Sequence, residues 1–183
     1  MFPALLATAC GLGFFIFVTV GGSQTSKDTT MKIQLTSSAF SEGQPIPPQF
    51  AYEDKNLSPA LQWAGIPPAA KSLALICDDP DAPMGTWVHW VLYDLPAATA
   101  GLSEGVPTSP ELSNGAKQGV NDYKSIGYGG PCPPPGKPHR YYFKLYALDQ
   151  VLGLKPGATK PELLKAMEGH VLAQGELMGT FKR

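Results

Sequence analysis

Three aspartates, two prolines and a histidine gather in one short stretch, Cys77-Asp78-Asp79-Pro80-Asp81-Ala82-Pro83-Met84-Gly85-Thr86-Trp87-Val88-His89-Trp90. An apolar run from Leu73 to Cys77 leads into it, so carboxylates stand at the mouth of a buried strand. Burying a charge there is costly unless something pairs with it or binds it. Two readings follow. Aspartates in a proline-stiffened turn can bond to neighbouring backbone amides. Alternatively, Asp79, Asp81 and His89 converge on a ligand.

A second group lies about fifty residues on, in Tyr128-Gly129-Gly130-Pro131-Cys132-Pro133-Pro134-Pro135-Gly136-Lys137-Pro138, followed by His139, Arg140 and Tyr141. Five prolines leave this loop little freedom, because each fixes φ and removes an amide donor. The Gly129-Gly130 pair permits close backbone approach, and amides exposed there would suit an anion's oxygens. His89 and His139 add donors whose charge switches near neutral pH. Tyr141 offers a hydroxyl and an aromatic wall. Asp79 and Asp81 would repel a lone anion, so they are expected to orient the imidazoles or to meet a cationic part of the ligand. A zwitterion such as phosphoethanolamine satisfies both signs.

Catalytic readings are weaker. Asp79, Asp81, His89 and His139 are metal-ligand types, yet no HExxH or CxxC spacing accompanies them. No GxSxG elbow offers a serine nucleophile. Cys132 with His139 seven residues on gives a thiol and an imidazole, but no helix N-terminus or adjacent base is in view to activate the sulfur. The residues favour a binding protein that is not an enzyme and needs no cofactor.

These groups need a frame to position them. The 183 residues suffice for one domain with a good core. With 43% apolar and 16% charged residues, a disordered chain is excluded. Fourteen basic residues against fifteen acidic ones, with no basic run, argue against nucleic acid as a partner. Twenty glycines and nineteen prolines disfavour long helices and favour short strands joined by turns. Three cysteines (Cys10, Cys77 and Cys132) make no disulfide framework, and Cys77 sits in a core pattern.

Strands are expected at Ile33 to Thr36, at a segment delivering Trp63 to the core, and at Lys71 to Cys77, the most apolar and central. Trp87 to Leu95 is another, with Trp87, His89, Val91 and Tyr93 on one face and Val88, Trp90, Leu92 and Asp94 on the other. A short strand falls near Gly115 to Gly119. His139 to Leu148 is again a strand, with Tyr141, Phe143, Leu145 and Ala147 on one face and Arg140, Tyr142, Lys144 and Tyr146 on the other, and Leu172 to Phe181 is the final strand. One stretch reads as a helix: Thr159-Lys160-Pro161-Glu162 is a capping box, Leu163, Leu164 and Met167 form an apolar stripe, and Gly169 is the stop. The sum is a mainly β, antiparallel, sandwich-like domain with one or two short helices near the C-terminus.

Residues 1–22 are uncharged and apolar, like a signal peptide or a membrane anchor, and 23–30 form a polar linker before a domain spanning 31–183. The protein is therefore expected to be exported to the periplasm or membrane-anchored, or cytoplasmic if translation starts at Met31.

Asp79-Pro80-Asp81-Ala82-Pro83, then His89-Trp90-Val91-Leu92-Tyr93-Asp94-Leu95-Pro96, then Tyr128 to Pro134 with His139-Arg140-Tyr141, together resemble the phosphatidylethanolamine-binding protein family. Asn56-Leu57-Ser58-Pro59-Ala60-Leu61-Gln62-Trp63 and Gly179-Thr180-Phe181 are similar to it as well. The similarity is greatest to its bacterial, Raf-kinase-inhibitor-like branch. It implies a large antiparallel sheet packed on a smaller one and a small anion pocket at one end. Carried over residue by residue, that pocket comprises Asp79, Pro80, Asp81, His89, Gly130, Pro131, Cys132, His139 and Tyr141. Eukaryotic members carry a serine-glycine pair where this chain has Pro131-Cys132. The resemblance implies a phosphate-bearing head group or small anion as ligand, no catalysis, a kinase or protease as the contact partner of some members, and a homodimer in others.

Overall fold

The computed structural model describes Met1 and residues 31–183; the apolar leader, Cys10 and the linker lie outside the described residues. In chain order the elements are β1 (Met31–Lys32), β2 (Gln34–Thr36), β3 (Leu61–Ala64), β4 (Ser72–Asp79), β5 (Trp87–Pro96), β6 (Gly101–Leu102), β7 (Lys117–Gln118), β8 (His139–Leu148), α1 (Lys160–Met167) and β9 (Val171–Phe181). A single 3-10 turn, Pro48–Phe50, interrupts the long proline-rich loop after β2. Among the described residues no helix is long and apolar enough to cross a membrane.

Six strands form the larger sheet in the order β1-β9-β8-β4-β5-β7, and three form the smaller one in the order β2-β3-β6. Every pairing is antiparallel except β1 with β9, which is parallel. The main core lies between the sheets: Leu35, Leu61 and Trp63 of the small sheet meet Leu73, Leu75, Cys77, Trp90, Leu92, Tyr141, Phe143 and Leu145 of the large one. On the other face, Ala74, Ile76, Val91 and Tyr93 pack against Leu163 and Met167 of α1. With both faces covered, all eight residues of β4 are buried, which is why its stretch Leu73 to Cys77 reads as a continuous apolar run rather than an alternation.

The helix begins as its cap dictates. Thr159 accepts from the Glu162 amide, and the Glu162 carboxylate accepts in return from the Thr159 amide at 2.7 Å. Leu163 and Met167 are buried, but Leu164 is 40% exposed, so the stripe is narrower than its three apolar residues suggest.

The alternation expected along β5 breaks at His89. Cys77 pairs with Trp90 and Asp78 with Val88, leaving His89 as an extra residue in a bulge. Trp90 and Leu92 consequently face the main core, while Val88, Val91 and Tyr93 face the helix layer. A second bulge opposite Ala74 contains Asp94, whose φ of 54° is left-handed. Its carboxylate accepts from the amides of Leu152 and Gly153 and from Lys117.

At the end of β4, Asp78 is turned toward the helix layer and accepts from Lys144 of β8 and Lys160 of α1. Its side chain is only 2% exposed, whereas the two lysines are 31% and 21% exposed. The asymmetry fixes which loss hurts more. Without Asp78 the ammonium groups can still reach water; without both lysines a carboxylate is stranded in the core. A Lys144→Met, Lys160→Met double variant should lose about 3–5 kcal/mol in urea unfolding, more than Asp78→Asn, and the reverse order would refute this account.

Candidate functional site

The antiparallel order of the large sheet does the positioning. Asp78 pairs with Val88 on one side and Tyr142 on the other, so the end of β4 and the starts of β5 and β8 lie side by side at one end of the sheet. A hollow of about 270 Å³ opens there, lined by Asp79, Ala82, Pro83, Trp87, His89, Tyr123, Cys132, Pro133, Pro134, His139 and Tyr141. Two larger depressions occur elsewhere. One, of about 980 Å³, runs along β1, β2, β8 and β9; the other, of about 720 Å³, lies by β3 and β6. Neither is lined by a histidine, a cysteine or a buried polar group lacking a partner, so chemistry rather than size singles out the small hollow.

Each polar wall is oriented by a specific bond. His89 Nδ1 lies 2.7 Å from the Gly129 carbonyl oxygen; a carbonyl only accepts, so this nitrogen carries the proton and Nε2 is left as the acceptor of the neutral ring. Burial holds the His89 pKa below its ordinary value, offset in part by that carbonyl and by the Asp79 charge. His139 Nδ1 donates to Asp79 Oδ2 at 2.7 Å, and the other Asp79 oxygen accepts from the Asp81 amide at 2.7 Å. Asp79 thus orients an imidazole with one oxygen and closes its own turn with the other.

Aromatic rings complete the enclosure. His89 meets Tyr141 and Tyr123 edge-on at centroid distances of 5.1 and 5.7 Å, Trp87 meets Tyr123 at 5.4 Å, and Tyr52 stacks on the outer side of Tyr123 at 4.2 Å. Two donors here are buried without a hydrogen-bond partner, Trp87 Nε1 and the Tyr141 hydroxyl. Leaving such a group unpaired costs about 1–3 kcal/mol.

Of the residues expected at the pocket, Asp79, His89, Cys132, His139 and Tyr141 line the hollow, whereas Pro80, Asp81, Gly130 and Pro131 do not. Asp81 is drawn outward instead. Its oxygens accept from the Arg140 guanidinium at 2.7 and 2.9 Å and from the Arg140 amide at 2.9 Å. Pro80 carries the turn between the two aspartates. The glycine pair offers no free amide to an anion: Gly129 donates to the His89 carbonyl and Gly130 to Asn56 Oδ1 at 2.7 Å. Gly130 is required because a Cβ there would stand 2.1 Å from the Phe50 carbonyl oxygen, so the close approach is to the protein's own backbone. The Pro131 carbonyl accepts from the Tyr52 amide and likewise holds the loop in place.

Trp87, Tyr123, Ala82, Pro83, Pro133 and Pro134 were not foreseen as lining residues. Trp87 was within reach of sequence reasoning, since it shares a face with His89 two positions on. Tyr123 carried no signal; it arrives through a turn pinned by Asp122, whose amide and carboxylate bond to the carbonyl and amide of Val88. Among the described residues, no three histidine, cysteine, aspartate or glutamate side chains are grouped to hold a metal ion. Cys132 Sγ accepts from Arg183 at 3.4 Å.

The sequence and its two-sheet β fold match known proteins. The family model of the phosphatidylethanolamine-binding protein matches residues 36–182. A UPF0098 protein of Methanothermobacter thermautotrophicus is 51% identical over 151 residues, covering 82% of this chain and 99% of the relative. Another UPF0098 protein, from Aquifex aeolicus, is 46% identical over 153 residues, with 82% and 89% covered. A putative phosphatidylethanolamine-binding protein homologue from Chlamydia trachomatis superposes with a TM-score of 0.76 at 45% identity, covering 83% of this chain and 98% of that one. YbcL of E. coli gives 0.77 at 30% identity, covering 83% and 99%. The chain belongs to the phosphatidylethanolamine-binding protein family.

The Arg140 guanidinium holds the Asp81 carboxyl down to a pKa of about 2. A folded pKa below the unfolded value of about 3.9 means a contribution to stability that is complete above pH 4 and lost as pH falls toward 2. Replacing Asp81 by Asn should lower stability by a constant amount above pH 5 and flatten the profile between pH 4 and 2, where the two proteins converge, as followed by chemical unfolding at several pH values.

Proposed function

We propose that the protein binds a small phosphate-bearing anion, of the phospholipid head-group type, in the hollow at the end of the large sheet, and does not transform it. The observation that carries this reading is the pair of buried, unpartnered donors, Trp87 Nε1 and the Tyr141 hydroxyl, in the same walls as two imidazoles whose Nδ1 protons are already committed. Two unpaired donors, beside imidazole Nε2 atoms that become donors once protonated, suit an acceptor-rich ligand, and a phosphate presents several oxygens at once. The Asp79 charge, behind His139, favours a cationic neighbour such as an ethanolamine group, and Pro83, Trp87, Tyr123, Pro133 and Pro134 exclude water around it. Among the described residues no imidazole is hydrogen-bonded to Cys132, the one thiol lining the hollow, and a catalytic thiol would call for such a base.

The proton balance follows from the His89 environment. Its lowered pKa leaves the free protein's imidazole neutral at pH 7. An anion beside Nε2 favours the charged form, so binding takes up a proton and tightens as pH falls, levelling off only below the ordinary histidine value of about 6.5. A phosphate monoester itself titrates near pH 6, and a diester does not. Calorimetry with phosphoethanolamine and with glycerophosphoethanolamine, in buffers of different ionisation enthalpy, should show proton uptake with both. Tyr141→Phe should weaken binding about tenfold, the worth of one hydrogen bond to a charged group, and His89→Ala at least as much, with unchanged melting curves verifying the fold. Undiminished affinity in both variants would exclude the hollow as the site.

A further inference from the structure

We propose that Cys132 is a site of reversible covalent modification by small disulfides, and that its adduct occupies the hollow and shuts out the anion. The second half rests on the anion-binding reading; the first does not.

Four observations bring the sulfur and a ligand space together. Cys132 is half-buried and lines the hollow, with Pro131 and Pro133 on either side fixing its backbone. Its Sγ is held by Arg183 Nη1 at 3.4 Å rather than lost among apolar neighbours. Tyr141, 1% exposed, lines the same space with a hydroxyl that has no partner, so a polar adduct finds a donor waiting. The hollow, at about 270 Å³, is smaller than the roughly 300–1,000 Å³ of ordinary ligand pockets. A group attached to Cys132 and an anion therefore compete for one volume.

Selectivity follows from burial. Cys77 is 1% exposed, and its thiol is pushed well above the ordinary value by burial and by the neighbouring Asp78 and Asp79 carboxylates, so it stays protonated and out of reach. Cys132 is the other cysteine among the described residues.

The step is an ordinary thiol–disulfide exchange. Cys132 gives up its proton, and its sulfur attacks one sulfur of R–S–S–R. A new S–S bond forms to Cys132 while the reagent's own S–S bond breaks. The departing thiolate takes the proton and leaves as R–SH. The Cys132 sulfur is oxidised, the departing sulfur is reduced, and a second thiol reverses the exchange.

The test uses the full chain with Cys10→Ser, incubated with 2-hydroxyethyl disulfide, and reads intact mass, peptide mapping and phosphoethanolamine calorimetry. One mercaptoethanol unit on Cys132, none on Cys77, at least a tenfold loss of phosphoethanolamine affinity and its recovery on adding dithiothreitol are expected. The Cys132→Ser variant should take up no adduct, and its affinity, whatever its starting value, should not respond to the disulfide. No adduct, or one on Cys77 alone, overturns the modification site; an adduct with undiminished affinity overturns the blockade. Should phosphoethanolamine not bind the unmodified protein, the anion reading fails by itself. The adduct is then judged by mass and by the ring NMR signals of His89 and His139, and signals that do not move on modification reject its placement in the hollow.

Discussion

Two adjacent carboxylates end a strand that is buried on both faces, and each has to be paired. The pleat sends them to opposite sides of the sheet. Asp78 faces the helix layer and takes two lysines, one from β8 and one from α1. Asp79 faces the hollow and takes His139 together with the amide of Asp81. The first pairing fixes where the helix lies against the sheet; the second fixes the ring that a ligand would meet. Buried charges of this kind require partners at defined positions, and here one requirement organises scaffold and site from neighbouring residues.

The site inherits its shape from sheet topology rather than from any one loop. Strands β4, β5 and β8 are neighbours with alternating direction, so one end of the sheet receives the last residues of one and the first residues of two others. The bulge at His89 matters in the same way. An unpaired residue turns the imidazole toward the hollow while Trp90, next in sequence, still faces the main core. The loop from Tyr128 to Pro135 then closes the space, anchored by its own amides and carbonyls to His89, Asn56 and Tyr52.

Most of the frame was legible. The bounds of β8, the apolar run Leu73 to Cys77 within β4 and the capping box of α1 rest on local chemistry that sequence records directly: periodicity, composition and cap residues. The errors share a cause, because each depended on a partner distant in sequence. Strict alternation through β5 failed because a bulge is a mismatch between two strands and is invisible in one. The glycine pair was read as open to a ligand, whereas its amides were already bonded to β5 and to Asn56. Asp81 was assigned inward on residue type and on the family resemblance, but Arg140, 59 positions away, draws its carboxylate outward. Leu164 was counted into an apolar stripe of which the sheet buries only Leu163 and Met167. The two-sheet architecture and the family followed from the long motifs, since these encode the topology that local patterns miss.

The parallel pairing of β1 with β9 has a directional consequence. Met31 enters the fold beside Ala173, near the start of β9, whereas Phe181 at its far end pairs with His139. Eight residues of strand separate the two points, about 26 Å at the usual rise of about 3.3 Å per residue. The polypeptide upstream of Met31 therefore joins the domain at the pole away from the hollow, and a tether or tag attached through it does not begin beside the opening.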